Sequence, residues 1–238
     1  LDGMETIDET MGAEARARKA YYSTFDEILP EGFVFGGRQY NPPNNEVNSL
    51  ISFGNSLVYA NVVSAIRATA LDPTISYLHE PGERRYSLAL DIADLFKPVL
   101  ADRVIFRLVN RRQLTTDDFE DEMNSCLLSE NGRKTYSKVY EETLDETIDH
   151  PNLGKKVSYQ YLLRVEAYKL KKHLLTGEEY VPSNGGGECG LHRRSLRYGS
   201  RPNAEDAEIP PSVPHTRTKL RARRGRDRGR PRKDPLRR

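Results

Sequence analysis

The stretch Glu46-Val47-Asn48-Ser49-Leu50-Ile51-Ser52-Phe53-Gly54-Asn55-Ser56-Leu57-Val58-Tyr59-Ala60-Asn61-Val62-Val63-Ser64-Ala65-Ile66-Arg67, continuing to about Leu71, decides the fold. Leu50, Phe53, Leu57, Val58 and Ile66 stand too densely around it for a surface helix, which keeps one polar face. The spacing predicts a central, buried helix, introduced by Asn41-Pro42-Pro43-Asn44-Asn45. Upstream, Ile7, Met11, Tyr21 and Phe25 recur at helical spacing and predict a helix over about 4–29, stopped by Pro30-Glu31-Gly32. Between the two, Phe33 to Tyr40 reads as either extended structure or a loop.

Downstream, a loop carries His79 and Pro81-Gly82-Glu83-Arg84-Arg85, and a further helix is predicted over about 87–110. Thr116-Asp117-Asp118 is expected to cap a short helix with acidic groups in its first turn. Tyr136, Val139, Tyr140, Leu144 and Ile148 mark another, ended by His150-Pro151. The last is predicted from Val157 to about Leu175. Gly177 closes it, and Lys171, Lys172 and His173 suit the negative end of its dipole. No internal repeat is visible. The expectation is an all-α body over 1–182 followed by a tail over 183–238.

Composition supports that division. The 238 residues are 37% hydrophobic, with a mean hydropathy of −0.72. The net charge of +2 hides an asymmetry: 183–238 hold 16 Lys/Arg against 6 Asp/Glu, leaving 21 against 29 for 1–182. The body is therefore acidic and the tail basic, and charge arguments apply to each separately. Cys126 and Cys189 exclude a disulfide framework or a cysteine-rich zinc site. No apolar run is expected to approach the roughly 20 residues that span a bilayer, and no signal peptide is read at the start, so a cytoplasmic protein is expected.

Three places hold residues that look misplaced. Ile7, Met11, Glu14, Arg18, Tyr21 and Phe25 fall on one helical stripe, and a carboxylate there must be paired, protonated or bound to a cation. Arg18 at i+4 is the ordinary partner. Asp91 and Asp94 share one face within Leu88-Ala89-Leu90-Asp91-Ile92-Ala93-Asp94-Leu95-Phe96, or else they simply face solvent. His79 lies twelve residues before Asp91 in a loop, where a histidine is commonly structural or solvated. Two carboxylates and an imidazole that converge would suit a divalent ion such as Mg²⁺ or Mn²⁺. Spacing alone does not bring Glu14 to the other two.

Four ordered blocks carry a family resemblance: Arg38-Gln39-Tyr40-Asn41-Pro42-Pro43-Asn44, Asn48-Ser49-Leu50-Ile51-Ser52-Phe53-Gly54-Asn55-Ser56-Leu57, Leu71-Asp72-Pro73 followed by Tyr77-Leu78-His79-Glu80, and Ser87-Leu88-Ala89-Leu90-Asp91-Ile92-Ala93-Asp94. Over nearly all of 5–182 the chain resembles the larger of the two universal CRISPR spacer-acquisition subunits, an endonuclease and integrase. The resemblance implies a helical catalytic domain with Glu14, His79 and Asp94 as the ligands of Mg²⁺ or Mn²⁺. Glu14 falls in Met11-Gly12-Ala13-Glu14-Ala15-Arg16, where the family has its Gly-x-Glu segment. Asp91 matches a nearby acidic position. Lys97 stands near the place where the family usually has Arg and would contact a backbone phosphate. Arg84, Arg85 and Tyr59 would lie near the same site, or else are ordinary surface and core residues. The implied reaction is attack of a prespacer 3′-hydroxyl on a repeat phosphodiester, or cutting when water replaces the hydroxyl. The implied partners are double-stranded and branched DNA, a second copy of the chain and the smaller acquisition subunit, with no membrane. The alternative is a non-catalytic DNA-binding or assembly remnant. A purely structural bundle would leave the three candidate ligands far apart.

Two departures from the family accompany the resemblance. The β-rich dimerisation domain with which the family begins is not read here, and Leu1 opening on a helical pattern over 2–10 points to sequence upstream. At the other end, relatives finish in an aromatic-rich stretch where this chain has Ser183-Asn184-Gly185-Gly186-Gly187-Glu188. Loss of one T from TTC AAA CGG TGG TGG TGA yields that glycine run. A permitted codon choice for 189–226, read one base later, resembles the start of the smaller subunit. The expectation is an out-of-frame read-through; the rival is a basic arm, Arg221 to Lys233, binding phosphates without sequence preference. Either composition predicts disorder.

Overall fold

The computed structural model describes residues 6–76, 79, 86–122, 124–150 and 154–183. The chain divides into two units, Leu1–His192 and Arg193–Arg238, and the second lies outside the described residues. The basic tail expected over 183–238 therefore lies outside them too, except for Ser183.

Capping chemistry sets where the helices start. Helix α1 (Ile7–Tyr22) opens on a reciprocal box in which the Thr6 hydroxyl accepts from Glu9 N and the Glu9 carboxylate accepts from Thr6 N, both at 3.2 Å. It ends seven residues earlier than the apolar spacing suggests. The Ser23 and Thr24 hydroxyls donate to Ala20 O and Tyr21 O at 2.8 Å, which competes with the helical ladder. A separate turn, α2 (Phe25–Ile28), follows. The expected apolar stripe is also not a buried one: Phe25 is buried, but Ile7 is 59% and Met11 37% exposed. Glu14 thus sits on a partly wet face.

Helix α3 (Glu46–Arg67) begins at Asn45, whose side chain accepts from Asn48 N at 2.9 Å. It is the central element the sequence predicted, with Val47, Leu50, Ile51, Val58, Val62 and Ile66 fully buried. At 22 residues it is long and apolar enough to cross a membrane by length and composition, which corrects the expectation that no run approaches that length. Half of its most apolar window is buried inside the protein. There it packs against α4 (Ser87–Lys97), a π-turn (Pro98–Asp102), α5 (Arg103–Asn110) and α7 (Tyr159–Thr176). The π-turn is where Pro98 interrupts the expected 87–110 helix. Proline offers no N–H to the ladder, and Arg103 N bonds Pro98 O, one residue further back than in an α-helix.

The body is mostly helical rather than all-α, because two antiparallel hairpins stand where helices were expected. Strands β1 (Phe119–Glu122) and β2 (Ser125–Leu128) pair with Phe119 opposite Leu128, and Asn124 at φ 72° makes the turn. The expected helix after Thr116-Asp117-Asp118 is only a single 3₁₀ turn. Strands β3 (Thr147–His150) and β4 (Lys155–Ser158) place Ile148 opposite Val157, two residues the spacing had assigned to neighbouring helices. Helix α6 (Glu130–Asp145) lies between the hairpins, capped by Ser129, and α7 starts at a Ser158 cap. Gly177 closes α7 in the left-handed region at φ 70°, as expected. Phe33 to Tyr40 is a loop. Asn48, fully buried, organises it by accepting from Gln39 N at 2.9 Å and donating to Gly37 O at 3.0 Å.

Two core details bear on stability. Gly54 faces the buried Tyr136, whose hydroxyl donates to Ala101 O at 3.2 Å. A methyl at Gly54 would collide with that hydroxyl and sit 3.1 Å from Ala101 Cβ. Gly54→Ala is therefore expected to cost about 1–3 kcal/mol by overpacking, read as a lower denaturant midpoint at unchanged slope. An unchanged midpoint would show that Tyr136 yields freely. Beyond α7, the chain is tied down by the fully buried Glu166, which accepts from the Tyr180 hydroxyl at 2.5 Å and from Ser183 N at 3.1 Å. Lys169, beside Glu166, donates to Val181 O at 3.1 Å.

Candidate functional site

Helix periodicity places the acidic and basic side chains of the site in two columns. Glu14 and Arg18 lie four apart on α1, and Asp91, Asp94 and Lys97 lie three apart on α4. The columns face each other through Arg18, whose guanidinium pairs with Glu14 on its own helix and with Asp94 Oδ1 on α4 at 3.1 Å. Lys97 pairs with the same Asp94 oxygen. The other Asp94 oxygen stands 3.9 Å from His79 Nε2. All six side chains that meet here, Glu14, Arg18, His79, Asp91, Asp94 and Lys97, are only partly exposed.

His79 is held from its other side. Its Nδ1 lies 2.6 Å from Asp91 Oδ1, and its backbone N–H donates to the same oxygen at 3.1 Å. Ser76 Oγ donates to the His79 carbonyl. A carboxylate on Nδ1 fixes the ring's orientation and, in the neutral ring, leaves Nε2 as the free electron pair. Asp91 is thus an orienting group, and Nε2 is the atom turned toward Asp94.

Sequence reasoning named Glu14, His79, Asp91, Asp94 and Lys97; the structure puts the last four next to one another and Glu14 at one remove, through Arg18. Tyr59 has a framework contact: its hydroxyl accepts from Tyr86 N at 2.8 Å, at the entry to α4. Arg84 and Arg85 lie outside the described residues. Arg18 was visible as the i+4 partner of Glu14, but its reach to α4 was not. Also missed was Asp102, 2% exposed in the π-turn. Burial pushes its carboxyl up to about 6, against a hydrogen bond from Tyr21 and the charges of Lys97, Arg18 and Arg38. Burial, and after it the same carboxylate, pushes Tyr22 up to about 12.

A groove of about 760 Å³ opens beside this cluster, lined by Glu14, Arg18, Lys19, Arg38, Tyr40 and His79 among others. Arg38 stacks over the Tyr40 ring at 4.4 Å and is held by Asn48 Oδ1 at 2.9 Å and Ser52 Oγ at 3.0 Å. These contacts give Arg38 and Tyr40, the first and third residues of the run Arg38 to Asn44, a structural role. Lys19 and Arg38 thus stand in the groove wall together with Glu14, Asp26 and the paired Arg18, so the groove mixes both signs of charge.

The donor set suits a hard divalent cation: two carboxylates and an imidazole, from three separated segments. As the side chains stand, however, no three His, Cys, Asp or Glu groups among the described residues are close enough to hold a metal ion. Arg18 lies between Glu14 and Asp94 and pairs with both.

Comparison with known proteins follows the same residues. The family described as CRISPR associated protein Cas1 matches residues 1–142. The CRISPR-associated endonuclease Cas1 of Haloferax volcanii is 58% identical over 176 residues, 74% of this chain and 53% of the relative. CRISPR-associated protein Cas1 1 of Methanobrevibacter ruminantium is 54% identical over 182 residues, 76% of this chain and 56% of the relative. The chain thus spans about half the length of the curated relatives it matches. Among solved structures, a CAS1 protein from Thermotoga maritima is 40% identical with a TM-score of 0.69, covering 76% of this chain and 57% of that one. A casposase bound to integration product is 21% identical with a TM-score of 0.71, covering 79% and 56%, and shares the fold.

Proposed function

The chain belongs to the Cas1 family of CRISPR-associated proteins, and from that membership we propose that it carries the DNA-cutting and DNA-joining centre of a spacer integrase. Glu14, His79 and Asp94 would hold a Mg²⁺ or Mn²⁺ ion there. One observation carries the proposal: these residues come from α1, a loop and α4, yet are linked through Arg18 and a 3.9 Å approach of His79 Nε2 to Asp94. A structural bundle has no need of such a meeting. The endonuclease names of the relatives agree with it.

The reaction would join a DNA 3′-hydroxyl, or water, to a phosphodiester phosphorus and release the opposite 3′-oxygen, which takes up a proton. When bound, the divalent ion would polarise the phosphoryl oxygen and stabilise the leaving oxygen. The protein's own groups do the rest. Asp91 keeps the His79 ring oriented. Lys97 and Arg18 bring positive charge to the place where a phosphate would sit, and Lys19 and Arg38 extend it along the groove. Tyr40, already stacked on Arg38, offers a face to an unpaired base. The partners would be prespacer and repeat DNA, a second copy of this chain and a Cas2 subunit.

The test is cleavage or strand transfer on labelled branched DNA by the full chain, with Mn²⁺ or Mg²⁺ and with chelator. Cutting that requires the ion supports the proposal. DNA binding without cutting in either metal would instead identify a non-catalytic binding remnant. Asp91→Asn is expected to lower activity about 10–100-fold, the usual cost of losing the group that orients a ligand. Activity equal to the unsubstituted chain would deny Asp91 that role.

A further inference from the structure

We infer that Arg18 is a built-in counter-ion of the metal centre, one that must leave the space between Glu14 and Asp94 before a divalent cation enters, and whose release couples metal entry to capture of a DNA phosphate. The inference rests on the metal-centre reading above and adds a role for a residue that the reading does not require.

The geometry separates Arg18 from an ordinary helix pair. A surface i,i+4 pair satisfies one carboxylate on one helix. Here one guanidinium pairs with Glu14 on α1 and also with Asp94 on α4, so it spans the gap between the two hard-oxygen ligands. Lys97 contributes a second cation to Asp94. An arginine guanidinium is not deprotonated inside a protein, so Arg18 stays charged throughout the working pH range. Its charge can be moved but not titrated away.

A permanently charged group bonded to two ligand oxygens competes with any cation for them. Coordination of a divalent ion by Glu14 and Asp94 removes both partners of Arg18 at once. The freed guanidinium lies on the wall of the groove, beside Lys19 and Arg38. A phosphate there gives it a planar, bidentate acceptor in place of the carboxylates. Metal and phosphate each take over one side of the exchange, so each binds more tightly in the presence of the other, and the coupling must be reciprocal. A site built this way resists loading with metal until DNA is present.

The experiment is a Mn²⁺ titration of the full chain, followed by electron paramagnetic resonance, with and without a short uncleavable duplex. Arg18→Gln is expected to bind Mn²⁺ about tenfold more tightly in the absence of DNA, a difference of about 1.4 kcal/mol, and to lose most of the tightening that the duplex produces. Arg18→Lys, which keeps the charge, is expected to stay near the unsubstituted chain. Thermal melts identify a variant that has lost its fold, and Arg18→Met then repeats the measurement with a different neutral chain. Glu14→Gln separates the two readings. If Glu14→Gln weakens Mn²⁺ binding while Arg18→Gln leaves it unchanged or weaker, the counter-ion role is overturned and the metal centre stands. If Glu14→Gln binds Mn²⁺ as the unsubstituted chain does, the metal centre fails and this inference fails with it. Tightening by Arg18→Lys equal to that of Arg18→Gln would also overturn it, because the effect would then not be one of charge.

Discussion

Asp94→Asn is expected to reduce metal-dependent DNA cutting by on the order of 10³-fold or more, with the fold intact. Asp94 is the node of the cluster: one oxygen receives Arg18 and Lys97, and the other faces His79 Nε2. The amide removes an anionic ligand from the centre, so metal retention fails. A thousandfold loss corresponds to about 4 kcal/mol of transition-state stabilisation, within the several kcal/mol that a bound metal supplies. Single-turnover cleavage at saturating DNA, with circular dichroism as the check on folding, measures it. Activity within tenfold of the unsubstituted chain would move the centre away from Asp94.

The second large effect concerns stability and has the opposite sign. Asp102→Asn is expected to stabilise the protein by about 1–3 kcal/mol at pH 8 and hardly at all near pH 4. The ordinary carboxyl value is 3.8, and burial lifts Asp102 to about 6. The folded state therefore binds this proton more tightly than the unfolded chain does. Below about 4 both states hold the proton and there is no penalty. Between about 4 and 6 the penalty grows as pH rises, and above 6 it is complete, at roughly 3 kcal/mol for a shift of this size. Asparagine keeps the shape without the charge and can still accept from Tyr21, while its NH2, placed where Asp102 Oδ1 accepts no hydrogen bond among the described residues, offsets part of the gain. Denaturant midpoints at the two pH values test this. An equal gain at both, or a loss at pH 8, would show that Arg18, Arg38 and Lys97 already balance the charge.

Much of this was legible in the sequence, for reasons that can be stated residue by residue. Helix α3 was readable because its apolar residues are too dense for a surface helix, even though Ser56, Ala60, Ser64 and Arg67 form an exposed edge. Helix α7 was readable because Gly177 and the basic residues before it mark a C-terminus. The hairpins were missed because their strands are four residues long and abut helices: Ile148 extends the apolar spacing of α6, and Val157 anticipates that of α7. Only pairing across the hairpin shows that they face each other. The break after Tyr22 depends on two hydroxyls choosing local carbonyls, which apolar spacing does not record. At the site, residue types and the family resemblance singled out Glu14, His79 and Asp94. They did not show that Asp91 takes Nδ1 of His79, that Arg18 crosses to α4, or that a carboxylate hides in the π-turn. Each of those depends on the distance between elements far apart in the chain, and a resemblance transfers residues without transferring such distances.

The Glu166 contacts have a practical consequence for where this polypeptide can be cut. Helix α7 ends at Thr176, and Gly177 looks like a natural place to trim. A chain ending there would keep Glu166 inside the protein while removing both Tyr180 and the Ser183 amide that satisfy it. Lys169, 3.5 Å away on the same helix, would stay beside it, but an interior carboxylate stripped of its hydrogen bonds is still a costly defect for a small domain. The folding unit therefore extends beyond its last helix, and Ser183 contributes a backbone N–H that any residue except proline would supply.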